Sequence, residues 1–312
     1  VLFTVILSSC SNDDIPVNRS VTFKLNPATV VDKLYEMNAG DLTSLSSGAT
    51  LNVDLYVYDE SGTLVERDNQ SFNAYTHIMT SNLDLSNGEY TVVAISHVSS
   101  SVEFWGFEGV ENLSTLKITD NGYIGGKSKI LGLTVEKVYV TDGENTFNID
   151  IQNAGAVACV AIINWNRYTN VKSFGLAGKQ SCDYITTNNY GDVEYSLKSK
   201  SDYGFYKVKF DYNSNQTGAM AYFFTFPIKN AAMKFIAETT GGSKNYLGAN
   251  LVDDINLGDS YLIGYDVTSE ETEWYDMTPS RSSQSANNFI EMVRENVPHP
   301  VFNYEEGTIT IE

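Results

Sequence analysis

A strict alternation of residues between positions 51 and 58 is the feature that most limits how this chain folds. Leu51, Val53, Leu55 and Val57 occupy every second position of the run LNVDLYVY, between polar or aromatic residues. A period of two places the four side chains on one face of a β-strand and does not fit a helix. The DESG sequence that follows at 59–62 is typical of a tight turn. The pattern predicts a hairpin with one buried face.

The same combination of apolar strands and polar turns recurs along most of the chain. Residues 90–98 are largely apolar on both faces, which predicts a central strand covered on two sides. The chain contains 20 Tyr and 15 Phe but only 19% charged residues, and aromatic side chains suit a pleated, half-buried surface. We therefore predict a mainly β protein, with further strands at 21–25, 115–119, 129–140, 147–151, 205–212, 219–226, 233–238 and 261–267.

The length of 312 residues fits two domains of about 150 residues each. We place their boundary near 152–155, which predicts domains at 21–152 and 153–312. The run INLGDSYLIGYDV (255–267) echoes residues 85–96 as an apolar residue, a Gly turn, a Tyr and a strand. This repetition supports two similar β-domains.

The C-terminal tail, residues 279–312, departs from the strand pattern. Phe289, Met292 or Val293, and Val297 lie at helical spacing, and Pro298 would end a helix there. We predict a short helix at 285–297. The final GTITIE sequence would then form either the last strand of the second domain or a strand donated to a neighbour.

The first residues of the chain carry the pattern of an export signal. The apolar run at 1–7 is too short to span a membrane and is typical of the end of a secretory signal. We interpret 1–9 as a signal-peptide remnant and 10–20 as a tether before the first strand.

A cysteine stands at the junction of these two segments. Leu7, Ser8, Ser9 and Cys10 resemble the lipobox of bacterial lipoproteins, whose cysteine takes a diacylglycerol. Two or more acyl chains anchor a protein stably, so a covalent lipid on Cys10 is the only cofactor we expect. The alternative is an unmodified cysteine near a signal cleavage site.

The other two cysteines give no such signal. Cys159 lies in an apolar, strand-like run and Cys182 in a polar segment. They fit a buried thiol and a partly exposed thiol, and an oxidising compartment would also permit a disulfide. The sequence leaves these alternatives open.

The charge and the motif content exclude several classes of function. The net charge of −19 disfavours nucleic acid, whose binding requires a cationic surface. No nucleophile elbow, zinc-protease helix, phosphate loop or dinucleotide fingerprint occurs. His77, His97 and His299 are far apart in the sequence, and the acidic pairs 253–254, 270–271 and 305–306 lack calcium-loop spacing. We predict no catalytic residue, no metal site and no enzymatic activity.

Three tryptophans are candidates for sugar stacking. Trp105 lies in EFWGFEGV (103–110), whose glycines around aromatics suggest more exposure than at Trp165 or Trp274. Core packing is the favoured alternative, because large aromatics supply much of the buried area of any β-domain. Trp105 is therefore a candidate glycan contact, and a glycan-binding lipoprotein of a polysaccharide-uptake system is the alternative function.

Four segments together resemble a known family, the FimB-type anchor lipoproteins of Bacteroidales fimbriae. They are VDLYVYDESGTLV (53–65), LSNGEYTVVAIS (85–96), NAGAVACVAIINW (153–165) and INLGDSYLIGYDV (255–267). The resemblance implies two tandem transthyretin-like β-sandwich domains. It also implies a cell-surface-exposed outer-membrane lipoprotein that holds fimbrillin or other pilus subunits by strand exchange. The acidic residues 11–14 resemble the export signal of Bacteroidetes surface lipoproteins.

The resemblance makes the position of arginines informative. In the polymerising fimbrillins, a trypsin-like protease cuts after an Arg, removes the first strand and opens a groove for a neighbour's strand. Here Arg19 precedes the predicted first strand, and the next arginine is Arg67. A cut at Arg19 would release the lipid without opening a groove, which favours an anchor or other non-polymerising subunit. A cut at Lys33 or by another protease remains an alternative.

Overall fold

The computed structural model describes residues 19–27, 48–73, 78–100, 103–121, 123–124, 131–163, 171–188, 191–209, 218–225, 228–239, 244–246, 251–256, 259–266, 271–276 and 307–308. Side-chain surroundings after residue 155 are described only at 184–188, 191–196, 254–256, 259, 261–264 and 275. Within these ranges the protein is mainly β.

The first ten strands lie before residue 151 and include every strand predicted there. They are β1 (Arg19–Asn26), β2 (Thr50–Tyr58), β3 (Leu64–Phe72), β4 (Met79–Leu85), β5 (Gly88–Ser99), β6 (Trp105–Glu108), β7 (Lys117–Asp120), β8 (Tyr123–Ile124), β9 (Leu131–Val140) and β10 (Asn145–Asp150).

Seven of these strands form a sandwich of two sheets. One sheet has the order β3-β2-β5-β9 and the other the order β10-β1-β4. Residues from both sheets, including Val53, Val92, Phe23 and Ile149, belong to one buried hydrophobic cluster. The two sheets therefore pack face to face over a shared core.

The alternation at 51–58 is confirmed, with one addition. Leu51, Val53, Leu55 and Val57 are at most 2% exposed. Tyr58 lies on the opposite face, yet it is also fully buried, and its hydroxyl donates to the Val110 carbonyl at 2.9 Å. Residues 103–116 cover this end of the sheet, so the second face is not a solvent face.

The predicted DESG turn and the central strand are also confirmed. Gly62 has a φ of +78°, as the DESG turn requires, and Asp59 Oδ1 accepts from the backbone amides of Ser61 and Thr63. Strand β5 pairs with β2 on one side and β9 on the other, and it is buried on both faces from Tyr90 to Val98.

Ten further strands follow residue 155. They are β11 (Ala156–Ile163), β12 (Val171–Thr187), β13 (Val193–Lys209), β14 (Gly218–Thr225), β15 (Ile228–Thr239), β16 (Lys244–Tyr246), β17 (Leu251–Ile255), β18 (Ser260–Asp266), β19 (Glu271–Asp276) and β20 (Gly307–Thr308).

Strand pairing in this part repeats the pairing of the first part. Strand β1 lies between antiparallel β4 and parallel β10, and β11 lies between antiparallel β14 and parallel β18. Strand β2 pairs with β3 and β5, and β5 pairs with β9; likewise β12 pairs with β13 and β15, and β15 pairs with β17. By this correspondence β18 matches β10. Residues 85–96 lie mostly in β5 and residues 255–267 mostly in β18. The sequence echo between them therefore links strands that occupy different positions in the pairing patterns of the two parts.

Hydrogen bonds cross the predicted domain boundary. The β6–β7 hairpin pairs with the end of β12 and so joins the seven-stranded sheet of the second part. The hydroxyls of Thr186 and Thr187 donate to the carbonyls of Leu116 and Leu113 at 2.7 and 2.8 Å. Residues 103–120 thus contact both parts of the chain. The domain limits themselves stay a prediction.

The tail predictions are only partly within the described residues. The helix predicted at 285–297 lies outside them, and the single helical element that they contain is a 3-10 turn at Leu113–Thr115. Gly307 and Thr308 form a short strand that pairs antiparallel with β8, whereas residues 309–312 are outside the description. No helix among the described residues has the length and apolar character to cross a membrane.

Candidate functional site

The first strand and the groove that holds it form the candidate site. Strand β1 runs between two strands that are distant in sequence, parallel to β10 from Val21↔Asn145 to Asn26↔Asp150 and antiparallel to β4 from Arg19↔Leu85 to Leu25↔Met79. The N-terminal strand therefore occupies the centre of its sheet.

The inner face of β1 supplies much of the sandwich core. Val21, Phe23 and Leu25 are fully buried, and the Phe23 ring stacks on Phe147 with centroids 5.5 Å apart. Full burial of a side chain of this size contributes about 1.5–3 kcal/mol, so the three together contribute about 5–9 kcal/mol. That amount is comparable with the whole stability of an ordinary domain. Removal of β1 would leave an apolar groove between β4 and β10.

The outer face of β1 is polar and is bonded to both neighbours. Thr22 Oγ1 donates to Asn82 Oδ1 on β4 at 2.9 Å, and Asn26 Nδ2 donates to Asp150 Oδ1 on β10 at 3.2 Å. These cross-strand pairs fix the register, because a slip by one residue would turn the apolar face outward.

A cluster of three polar side chains holds the start of the strand. The Arg19 guanidinium donates to Asp142 Oδ1 at 2.7 Å, and Asn87 Nδ2 donates to the same oxygen at 2.7 Å. The hydrogen bonds from Asn87 and Arg19 hold the pKa of Asp142 below its ordinary value of 3.8. Arg19 is the first residue of β1 rather than a residue before it, and its side chain is 33% exposed.

The contribution of the Asp142 cluster to stability is expected to depend on pH. A carboxylate whose pKa is lower in the folded state than in the unfolded state stabilises the folded state fully at a pH above its unfolded-state pKa. This contribution is lost as the pH falls through the folded-state pKa. Asp142→Asn should therefore melt below the wild-type chain at pH 7. The difference in Tm should narrow once the pH falls below 3.8. A difference that stays constant from pH 7 to pH 2.5 would contradict this assignment.

A second polar contact lies under the β6–β7 hairpin. His97 on β5 and Asp54 on β2 are joined by a 3.0 Å contact between Nε2 and Oδ2, and the Phe107 ring lies 4.9 Å from the imidazole. Their side chains are 8% and 13% exposed. His97 is therefore a buried histidine with a carboxylate partner.

Truncation of Asp54 should expose the importance of this contact. In Asp54→Ala, the His97 nitrogen stays buried without its carboxylate, which should cost about 1–3 kcal/mol. Chemical denaturation measures the loss. Asp84→Ala removes an exposed carboxylate from β4 and should change stability by less than about 0.5 kcal/mol. Equal effects of the two substitutions would count against a structural role for the pair.

A small polar cavity of about 260 Å³ lies beside the first hairpin turn. Asp59, Glu60, Glu89 and Lys137 are among its lining residues. Lys137 Nζ lies 2.7 Å from Glu89 Oε1, and this hydrogen bond lowers the pKa of Glu89. Among the described residues, no group of three or more His, Cys, Asp or Glu side chains is arranged to hold a metal ion.

The structure describes some of the residues singled out in the sequence. Trp105 is 3% exposed, so its ring is buried, as the favoured alternative of core packing predicted. Cys159 lies in β11 and Cys182 in β12, which belong to different sheets. Trp274 lies in β19 opposite Ile263. A role of Trp105 in glycan contact stays a prediction.

Other predicted sites fall outside the described residues. These are the lipobox of Leu7, Ser8, Ser9 and Cys10, together with Trp165, His77 and His299. In contrast, Asn87 and Asp142 were missed in the sequence. Both lie in turns: the antiparallel pairing of β1 with β4 places Asn87 near Arg19, and the parallel pairing of β1 with β10 places Asp142 there.

Comparisons with known proteins identify the fold. No protein-family model matches the sequence, and no curated protein matches it. A candidate polysaccharide-binding protein from Bacteroides thetaiotaomicron superposes with a TM-score of 0.50 at 12% identity, over 86% of this chain and 99% of the other. The tip fimbrial protein Mfa3 from Porphyromonas gingivalis, solved with a C-terminal truncation, superposes with a TM-score of 0.50 at 11% identity, over 83% and 98%.

A third solved structure, a candidate cell adhesion protein from Bacteroides uniformis, aligns at 11% identity with a TM-score of 0.46, over 85% of this chain and 97% of the other. At such identities the similarity concerns the fold. The chain therefore shares a mainly β fold with the candidate polysaccharide-binding protein and with the tip fimbrial protein.

Proposed function

We propose that this chain is a non-enzymatic outer-membrane lipoprotein that anchors or assembles a fimbria, or acts as an adhesion subunit, while keeping its own first strand. The observation that carries the proposal is the position of β1 at the centre of its sheet, with Val21, Phe23 and Leu25 fully buried. The fold shared with a tip fimbrial protein supports a fimbrial or adhesive setting. The lipobox supports attachment through a lipid on Cys10.

If β1 stays in its groove, the chain is not a subunit that polymerises through that groove. Strand exchange in the first sheet requires an empty groove, and emptying it gives up the buried face of β1. A protease that cuts after Arg19 must bind this bond in an extended, unpaired form, whereas Arg19 pairs with Leu85 and its side chain binds Asp142. A cut there would also leave Ser20 and the rest of β1 in the sheet.

The remaining features of the proposal come from the family resemblance. They are two tandem transthyretin-like sandwiches and recognition of pilus subunits by β-augmentation, in which a partner strand extends a sheet through main-chain hydrogen bonds. The repeated strand pairing of the two parts of the chain is consistent with two related units.

A reversible lock on β1 tests the proposal. Thr22 and Asn82 lie directly opposite each other on β1 and β4. The double variant Thr22→Cys/Asn82→Cys places two thiols at a cross-strand pair, where a disulfide is sterically feasible. We expect oxidised and reduced forms to retain fimbriae on the producing cells equally well, because the anchor does not release β1.

Two results would overturn this assignment. The first is loss of fimbrial attachment in the oxidised form and its recovery on reduction, since this would show that β1 must leave its groove.

The second concerns the lipid: Cys10→Ala should abolish labelling by an alkynyl fatty acid and release fimbriae into the medium, whereas Cys182→Ala should do neither. Unchanged labelling of Cys10→Ala would exclude the lipid anchor.

Glycan binding has weaker support. One fold neighbour is a candidate polysaccharide-binding protein, but Trp105 is buried in this chain. This alternative would be favoured if the chain binds a glycan on an array and if the oxidised Thr22→Cys/Asn82→Cys variant and Cys10→Ala bind it equally well.

A further inference from the structure

Among the described strands, the repeated strand pairing of the two parts of the chain differs at the outer edge of β10. Strands β10 and β18 correspond, because each is the parallel neighbour of the first strand of its part. Strand β18 carries β19 on its other side, with six antiparallel pairs from Tyr261↔Asp276 to Asp266↔Glu271. The described residues place no strand beside β10 at the corresponding position.

The backbone direction of β10 follows from two hydrogen bonds. The amide of Ile151 donates to the Asn26 carbonyl on β1 at 2.8 Å. Peptide groups alternate in direction along a strand, so residues 147 and 149 also face β1. Thr146, Asn148 and Asp150 must then face outward. Asp150 confirms this, since its carbonyl accepts from Thr134 Oγ1 at 3.0 Å, away from β1.

Two residues of this edge have backbone groups with no partner in the described part of the chain. Thr146 and Asn148 each present an N–H and a C=O on the outward side, and both side chains are exposed. Thr134 closes one end of the edge at the Asp150 carbonyl. At the other end, the Asn145 side chain bonds the carbonyls of Thr141 and Gly143 within the turn. The open edge is therefore short and has defined ends.

We propose that the outer edge of β10 is an acceptor site for an extended strand of another protein, which runs antiparallel to β10 and takes the place that β19 takes beside β18. Main-chain hydrogen bonds to Thr146 and Asn148 supply the pairing. This inference takes from the proposed function only the fimbrial or adhesive context in which a partner strand would be met. The outer edge of β10 is separate from the groove that holds β1.

The side chains around the edge define the chemistry of the partner strand. On the inner face Phe147 is half-buried and Ile149 is 1% exposed, so the incoming strand should carry apolar residues that face them. On the outer face the exposed carboxylates of Glu144 and Asp150 lie near the two ends. Charge complementarity therefore favours basic residues at the ends of the partner segment.

The same charges disfavour a second copy of this chain. Pairing of β10 with its own copy would bring together two sets of Glu144 and Asp150, on chains that each carry a net charge of −19. Like charges placed opposite each other across strands are destabilising. A basic, alternating strand from another protein is the occupant that the edge fits.

The experiment uses the full chain and a designed peptide, acetyl-Lys-Val-Thr-Val-Thr-Val-Lys-amide, labelled with a fluorophore. A peptide with Pro at its central Val is the control. We expect the first peptide to bind and to shift the amide resonances of Thr146 and Asn148 more than those of Phe147 and Ile149. In the chain without peptide, the amides of Thr146 and Asn148 should exchange with solvent much faster than that of Ile149.

Two variants distinguish pairing from side-chain contact. Thr146→Pro removes an outward N–H and is compatible with an edge strand, and it should weaken peptide binding by about tenfold or more. Thr146→Val keeps the N–H and should bind within about threefold of the wild-type chain. If Thr146→Pro fails to fold, the amide at 146 faces β1 and the proposal is wrong; Asn148→Pro repeats the test independently.

Three results would overturn the inference. They are equal binding of both peptides, slow exchange of the Thr146 and Asn148 amides in the chain alone, and a dimer of the wild-type chain that Thr146→Pro dissociates. The last would make a second copy the occupant. None of these depends on the lock between positions 22 and 82, so the failure of one proposal does not imply the failure of the other.

Discussion

Replacement of Phe23 by alanine is expected to lower the free energy of unfolding by about 3–5 kcal/mol. The side chain is fully buried at the centre of β1 and stacks on Phe147, so its loss removes apolar burial and leaves a cavity between the two sheets. Urea denaturation followed by tryptophan and tyrosine fluorescence measures the change. An effect of this size would show that the chain's own first strand is part of the stable core.

The adjacent residue is the matched control for this experiment. Thr22 lies on the outer face of β1 and bonds Asn82, so Thr22→Ala should cost about 1 kcal/mol or less. A Phe23→Ala/Phe147→Ala double variant should show a coupling of about 0.5–1.5 kcal/mol, the usual value for an aromatic pair. If Phe23→Ala costs no more than Thr22→Ala, the first strand does not occupy its groove in solution.

A single methyl group at Gly109 is expected to destabilise the protein by at least about 2–3 kcal/mol. Gly109 has a φ of +63°, and a β-carbon there would overlap the backbone carbonyl of Thr115. The strand-to-turn connection cannot easily move, because the Gly109 carbonyl accepts from Thr115 Oγ1 at 2.8 Å and from the Asn112 amide at 3.3 Å.

The effect of Gly109→Ala should be concentrated where the two parts of the chain meet. Residues 103–120 bond both the first sandwich and β12, so amide exchange should accelerate at Leu113 and Thr119 before it does in β5. Gly143→Ala is the control, since the nearest atom to its added carbon would be Thr141 Oγ1 at 3.9 Å. It should be neutral or stabilising by up to about 1 kcal/mol. Equal effects at the two glycines would contradict the tight turn.

Much of the local structure was predictable because it depends on period and turn chemistry. The alternation at 51–57, the glycine of the DESG turn and the doubly covered strand at 90–98 all follow from residues close together in the sequence. At 51–57 the period of two selects strand over helix and identifies the buried face.

The predictions were weakest where burial depends on a distant segment. The alternation places Tyr58 on the face opposite Leu55 and Val57, yet that side chain is fully buried and its hydroxyl donates to the Val110 carbonyl. Similarly, Arg19 was expected to precede the first strand, whereas its pairing with Leu85 makes it the first residue of β1. No local pattern encodes which loop covers which face.

By itself, the sequence determined that this is a mainly β chain and which strands have a buried face. Only the tertiary structure decided that the first strand lies at the centre of its sheet, that Arg19 and Asn87 both donate to Asp142, and that β10 has an outward edge. The physical reason is that the alternation of apolar and polar side chains along a strand depends only on residues close together in the sequence. Strand partners are chosen by hydrogen bonds and packing between residues more than a hundred positions apart, such as Arg19 and Asp142.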